Sequence, residues 1–335
     1  MKLAGQNVLV TGADGFIGSH LTELLVRTGC NVTALAQYDS FGHNGWLDDL
    51  SEDIRSTIDI QRGDIRDSSF VQRIVAGKQA VFHLAALIAI PYSYLAPQSY
   101  VGVNVSGTLN VLEACRNSMV ERMIHTSTSE VYGTAQFTPI SEEHPLVAQS
   151  PYAASKIGAD MMVTSYVRSF DLPVVILRPF NTYGPRQSER AVLPSMIRQA
   201  IDPECDTIRV GNLTPIRDFN YVADIAEAFV AASTVDSIEY GMPYNAGSGD
   251  GVNIGEAAKL ICDICGTNKP IEDEDSRYRP AHSEVFELLA DAAKFRQSTN
   301  WLSRVELRHG LTETISWWRQ QSESSNLRRD KDMMY

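Results

Sequence analysis

A chain of 335 residues, 44% hydrophobic and 21% charged, has the composition of an ordinary globular protein and can form one large α/β domain or a domain with a smaller lobe. A formal net charge of −12 argues against non-specific nucleic-acid binding, which needs clustered Lys and Arg. A phosphorylated small molecule stays possible, held by a few arginines inside a cleft. No apolar run is long enough to span a bilayer, and Met1–Val10 leads into a strand pattern without a signal-peptide layout, so a cytoplasmic protein with no membrane partner is expected.

In chain order, strands are predicted at 7–11, 31–36, 56–61, 79–84, 122–127 and 173–178, separated by helices at 16–27, 68–75, 98–117 and 152–169. This alternation predicts a doubly wound parallel sheet of the Rossmann type, covered on both faces. Beyond Asn181 the pattern loosens into short strands (207–210, 243–245) and helices (193–200, 222–232, 254–265, 307–320). We expect a dinucleotide-binding domain over 1–180 and a mainly substrate-binding lobe over 181–321, some of whose elements could rejoin the main sheet. The charged, aperiodic stretch 322–335 reads as a frayed tail. Cys30, Cys115, Cys205, Cys262 and Cys265 are odd in number and widely spaced, which does not make a disulfide framework. The lone pair Cys262 and Cys265 reads as buried helix cysteines, and no metal site is expected.

The first strand runs into Gly12-Ala-Asp-Gly15-Phe-Ile-Gly18 and then a helix. Glycines here permit a tight turn and close backbone approach, and the helix N-terminus faces a pyrophosphate. An acidic residue for the adenosine ribose is expected at the end of the second strand. That place holds Ala36-Gln37-Tyr38, with Asp39 later, and no arginine stands nearby in sequence to hold a 2′-phosphate. NAD is therefore the expected cofactor, with NADP left open. Asp64 is a candidate for the adenine side, or a turn aspartate.

Tyr152-Ala-Ala-Ser-Lys156 opens a predicted helix behind the N-cap Ser150 and Pro151. Its i, i+4 spacing puts Tyr152 and Lys156 on one face, where the ammonium could lower the phenol's pKa and make it a base. Ser127-Thr128-Ser129-Glu130 follows a strand, at the end that faces the crevice. Thr128 could bond the hydroxyl being oxidised, with Glu130 beside it.

These motifs, with His83-Leu-Ala-Ala and Arg178-Pro-Phe-Asn181-Thr-Tyr-Gly-Pro-Arg186, stand in the order seen in extended short-chain dehydrogenases acting on nucleotide sugars, which the chain resembles from about Val8 to Trp318. More narrowly, 86–94 and 126–135 are similar to configuration-retaining N-acetylglucosamine 4,6-dehydratases of legionaminic-acid-type pathways. The resemblance implies cofactor contacts at Gly12, Gly15, Phe16, Ile17, Gly18, Asp64, Ile65, Leu84, Ala85, Ala86, Tyr152 and Lys156. It implies substrate contacts at Ser93, Thr128, Ser129, Asn181, Arg217 and Arg279, the arginines gripping a diphosphate. His83 reads as a packed residue beside the cofactor. The long helices 98–117 and 152–169 imply a homodimer.

The implied reaction is oxidation at C4 with Tyr152 as base, removal of the C5 proton by Glu130, loss of the 6-hydroxyl as water, and hydride return to C6. Thr128-Ser129-Glu130 departs from the Thr-Asp-Glu of dTDP-glucose dehydratases, where Asp is the acid. It resembles GDP-mannose dehydratases and also UDP-glucuronate decarboxylases. Decarboxylation is thus the nearest rival, a 4-epimerase has no use for Glu130, and a non-catalytic dinucleotide sensor has no use for the Tyr152–Lys156 pair. UDP and GDP are equally open.

Overall fold

The computed structural model describes residues 1–274, 277–278 and 280–323. Seven parallel strands make the central sheet: β1 (Asn7–Thr11), β2 (Asn31–Gln37), β3 (Asp59–Gly63), β4 (Ala80–His83), β5 (Arg122–Thr126), β6 (Val174–Pro179) and β7 (Pro243–Ala246), in the order β7-β6-β5-β4-β1-β2-β3. Val8, Leu9 and Val10 of β1 are each fully buried. Such an unbroken apolar run fits a strand covered on both faces, where alternation would expose nothing to water. Register holds β1 between Val8↔Val32 on β2 and Val8↔Ala80 on β4. The strand order reverses between β1 and β4, so the crevice for a ligand opens at their carboxyl ends.

Helices α1 (Phe16–Arg27), α2 (Ser68–Val75), α3 (Thr108–Asn117), α4 (Pro151–Phe170), α5 (Val192–Ile201), α6 (Val222–Thr234), α7 (Ile254–Cys265) and α8 (Leu307–Glu323) build the outer layers and the lobe. One face of the sheet shares a core with α1 and α6 through Leu21, Leu25, Ile225 and Phe229. The other shares one with α2, α3 and α4 through Phe70, Ile74, Leu112 and Val163. A third core, with Leu193, Ile197, Ile261, Leu311 and Trp318, joins α5, α7 and α8 in the lobe.

Two local differences from the expected elements have physical causes. The strand predicted at 56–61 lies at Asp59–Gly63, because Thr57 closes a turn by donating its hydroxyl to Ile54 O at 2.7 Å. The predicted helix 98–117 is helical throughout but passes through a π segment, Val101–Gly107, before α3. Gly107 belongs there because a Cβ on it would meet Ile65 Cδ1 at 2.5 Å. Strand β7, from the second half of the chain, rejoins the main sheet beside β6, Pro243 facing Ile176. Ser322 and Glu323 continue α8, and the rest of the expected tail lies outside the described residues. Cys262 and Cys265 are free and half-buried on α7 rather than fully buried. No helix among the described residues is long and apolar enough to cross a membrane.

Candidate active site

The turn after β1 is shaped by two glycines. Gly12 has a φ of +68°, and a Cβ there would lie 2.8 Å from Ala85 N. A Cβ on Gly18 would lie 2.0 Å from Gly12 O, so α1 meets the turn backbone to backbone. Gly15 differs: its φ of −83° suits any residue, and a Cβ would come only to 3.3 Å from Gly12 O. The fold requires Gly12 and Gly18, whereas at Gly15 a side chain would chiefly fill the space before the α1 N-terminus. This cradle fits a dinucleotide pyrophosphate. Phe16 and Ile17 begin α1, with Ile17 packed on the core below.

Across the crevice, Leu84 and Ala85 donate their N–H groups to Thr11 Oγ1 at 3.2 and 3.1 Å, which holds the segment through Ala86 beside the turn. His83 bonds Thr11 Oγ1 at 2.8 Å and Thr108 Oγ1 at 3.0 Å, and its complete burial keeps the imidazole neutral. It is a packed residue, as read. Ile65 is core, 5% exposed. Asp64 is engaged by Arg66 through Nε at 3.0 Å, which holds its carboxyl below the usual range.

The second motif closes the crevice. Ser150 caps α4, accepting Ala153 N–H at 3.1 Å, and Pro151 is its first residue. Tyr152 and Lys156 then lie on the buried face, 7% and 4% exposed. Thr128 ends the strand segment and caps the turn Ser129–Tyr132, its Oγ1 accepting Glu130 N–H at 3.3 Å. Burial pushes the Tyr152 phenol up, a hydrogen bond with Thr128 pulls it back, and the Glu130 charge adds to the rise. Thr128, Glu130 and Tyr152 are thus brought together, with Ser129 buried beneath and Lys156 one turn along α4; against the expectation of a phenol lowered by that ammonium, burial leaves it raised. Lys156 donates to Thr126 O at 2.6 Å, and burial lowers its ammonium to about 8.

Two residues absent from the sequence reading support this group. Asp160, one turn beyond Lys156, is fully buried; it accepts from Ser127 Oγ at 2.8 Å and Arg178 Nη2 at 2.9 Å, and meets His125 Nε2 at 3.2 Å. Asn104, in the π segment, accepts Leu87 N–H at 2.9 Å, donates to Leu87 O at 3.0 Å and donates to Ser155 Oγ at 2.9 Å. It therefore ties the segment after β4 to the helix that carries Tyr152. Asparagine and glycine inside an apolar helix were the available signal, since π turns concentrate at functional sites.

The substrate-side candidates are more dispersed. Asn181 follows β6, and its Oδ1 is buried without a hydrogen-bond partner. Arg217 is 7% exposed in its side chain; it donates to Ile216 O at 2.9 Å and pairs with Glu284 at 3.4 Å. Ser93 is fully buried, its hydroxyl donating to Ile90 O at 2.6 Å within its own helical turn. Arg279 lies outside the described residues. Arg186 reaches from the lobe to α1, pairing with Glu23 at 3.2 Å.

The profile of the GDP-mannose 4,6 dehydratase family matches residues 9–314. A dTDP-glucose 4,6-dehydratase from Actinoplanes sp. is 31% identical over 93% of this chain and 97% of its own length. Among solved structures, the UDP-N-acetylglucosamine 4-epimerase of Methanobrevibacter ruminantium superposes with a TM-score of 0.86 at 30% identity, covering 95% of this chain and 100% of that one. The dTDP-glucose 4,6-dehydratase DesIV of Streptomyces venezuelae, solved with NAD and TYD bound, gives 0.83 at 26% identity, covering 95% and 98%. The chain belongs to the GDP-mannose 4,6 dehydratase family, within the extended short-chain dehydrogenases that act on nucleotide sugars.

Proposed function

We propose that the protein is a nucleotide-sugar 4,6-dehydratase acting on UDP- or GDP-N-acetylglucosamine. NAD is its cofactor. The observation that carries the reading is a carboxylate, Glu130, two residues beyond Thr128 and close enough to Tyr152 for its charge to raise the phenol. NAD, held by the turn Gly12–Gly18, would supply the hydride acceptor for C4 and donor for C6 of the sugar. Tyr152 takes the proton of the 4-hydroxyl, Thr128 orients that hydroxyl, and Lys156 supplies positive charge below the phenol. The resulting C4 ketone acidifies the C5 proton. Glu130 removes that proton and protonates the departing 6-hydroxyl, so water leaves; with hydride back at C6, a proton from solvent on C5 completes the 4-keto-6-deoxy sugar. Asn181 and Arg217, with Arg279, are assigned to the diphosphate, and residues 181–321, apart from α6 and β7, mainly to substrate binding.

A 4-epimerase is the second reading, favoured by the likeness to the Methanobrevibacter enzyme. Heavy water separates the two. Elimination ends with a solvent proton placed on C5, so the product gains deuterium there, and Glu130→Gln abolishes that uptake. An epimerised sugar free of solvent deuterium contradicts the dehydratase.

A homodimer is also proposed. The face built from the π segment and α4 leaves Val101 55% and Met161 50% exposed. Light scattering is expected to give twice the chain mass at micromolar concentration; a monomer mass there contradicts it.

A further inference from the structure

The end of β2 carries Gln37 where an acidic residue is the usual partner of the adenosine ribose. The structure fills that place from a different element. Asp14, inside the glycine turn, accepts the Gln37 N–H on its Oδ2 at 3.0 Å. Its carbonyl accepts Trp46 N–H at 3.0 Å, and a Cβ on Gly45, whose φ is +56°, would lie 2.5 Å from that carbonyl oxygen. Asp14 is therefore clamped between the end of β2 and the turn at 44–47. Asp14 lines a cavity of about 550 Å3 whose wall also includes Gln37, Tyr38, Asp39 and His43.

The acidic groups of this wall are Asp14 and Asp39, with the His43 imidazole paired to the second. Asp39 is held in place by accepting Phe41 N–H at 3.0 Å and pairing with His43 at 3.0 Å. Among the described residues no lysine or arginine lines the wall. Arg62, distant in sequence, does come close to the loop, but its guanidinium is committed to Asn44 Oδ1 at 2.7 Å and Gly42 O at 2.6 Å. A vicinal diol suits such a wall, since a carboxylate accepts from hydroxyls. A 2′-phosphate would bring further negative charge against two carboxylates.

We propose that Asp14 is the ribose-recognising acid of this chain, supplied by the glycine turn instead of the second strand, and that it sets the preference for NAD over NADP. The inference concerns the cofactor alone and stands whether the sugar is dehydrated or epimerised.

The test is calorimetric titration of the full-length, nucleotide-free protein with NADH, NADPH and 2′-deoxy-NADH. The wild type is expected to bind NADH about tenfold or more tighter than either of the others, the size of one charge-assisted hydrogen bond. Asp14→Asn keeps an oxygen for the Gln37 N–H, so the fold should persist, and it is expected to shrink the NADH-to-NADPH ratio by about tenfold. Equal wild-type affinity for NADH and 2′-deoxy-NADH overturns the proposal without any variant. So does an Asp14→Asn protein, folded by circular dichroism, whose NADH-to-NADPH ratio is unchanged.

Discussion

Tyr152→Phe is expected to lower turnover by about 10²- to 10⁴-fold, the usual worth of a positioned general base, with NADH binding retained. The substitution removes only the phenol oxygen. The ring stays where packing holds it, 7% exposed and edge-on to Tyr100 at 6.3 Å between centroids. Thr128 loses one partner but keeps the Glu130 N–H that fixes its turn. Single-turnover absorbance of the reduced nicotinamide tests this, because the lost step is oxidation at C4, ahead of any elimination. Turnover near the wild-type rate would remove Tyr152 from the role of base.

Asp160→Asn is expected to have the largest effect on stability, about 3–5 kcal/mol in urea unfolding, as for removal of one partner from a buried ion pair. Arg178 is 3% exposed, and its guanidinium divides its bonds between Asp160 and the Tyr132 hydroxyl at 2.9 Å. Without the carboxylate a buried positive charge lacks its counter-ion. Hydrogen bonds from His125 and Ser127 and the nearby Arg178 hold Asp160 at about 2 against an ordinary 3.8, although burial alone pushes the other way. A depressed carboxylate contributes stability that is present above pH 3.8 and lost as pH falls toward 2, and the variant should lack this acid dependence. Asp160 also raises Lys156, which burial has brought down to about 8. The alkaline limb of kcat/KM, which reports the free enzyme, should therefore move to lower pH in Asp160→Asn. An unshifted limb would leave Asp160 with a structural role only.

The legible part of this protein is the part written in local pattern. Strand β1 reads as an apolar run because both its faces are covered, and Ser150-Pro151 marks the start of α4 because a cap and a fixed φ are local properties. Tyr152 and Lys156 share a face by helix periodicity alone. What stayed hidden depends on chains meeting far apart in sequence. Asp14 reaches the end of β2 across 23 residues, so a search along β2 finds only Gln37. Arg62 approaches the same loop from β3, although no arginine stands near it in sequence. Asn104 was hidden for another reason: its helix reads as continuous, and the π segment that aims its amide at Leu87 and Ser155 leaves no hydrophobic period of its own. Arg217 was expected as a phosphate ligand from the family resemblance; its pairing with Glu284 arises from the meeting of strands Ile216–Asp218 and Glu287–Leu288.

The central claim is loss of water, and mass spectrometry of the sugar nucleotide reads it directly. The protein and NAD+ are incubated separately with UDP-N-acetylglucosamine, GDP-N-acetylglucosamine and UDP-glucuronate. One of the two N-acetylglucosamine nucleotides is expected to lose the mass of one water, which identifies the nucleotide used. Loss of carbon dioxide from UDP-glucuronate, or an isomer of unchanged mass from either N-acetylglucosamine nucleotide, would contradict it.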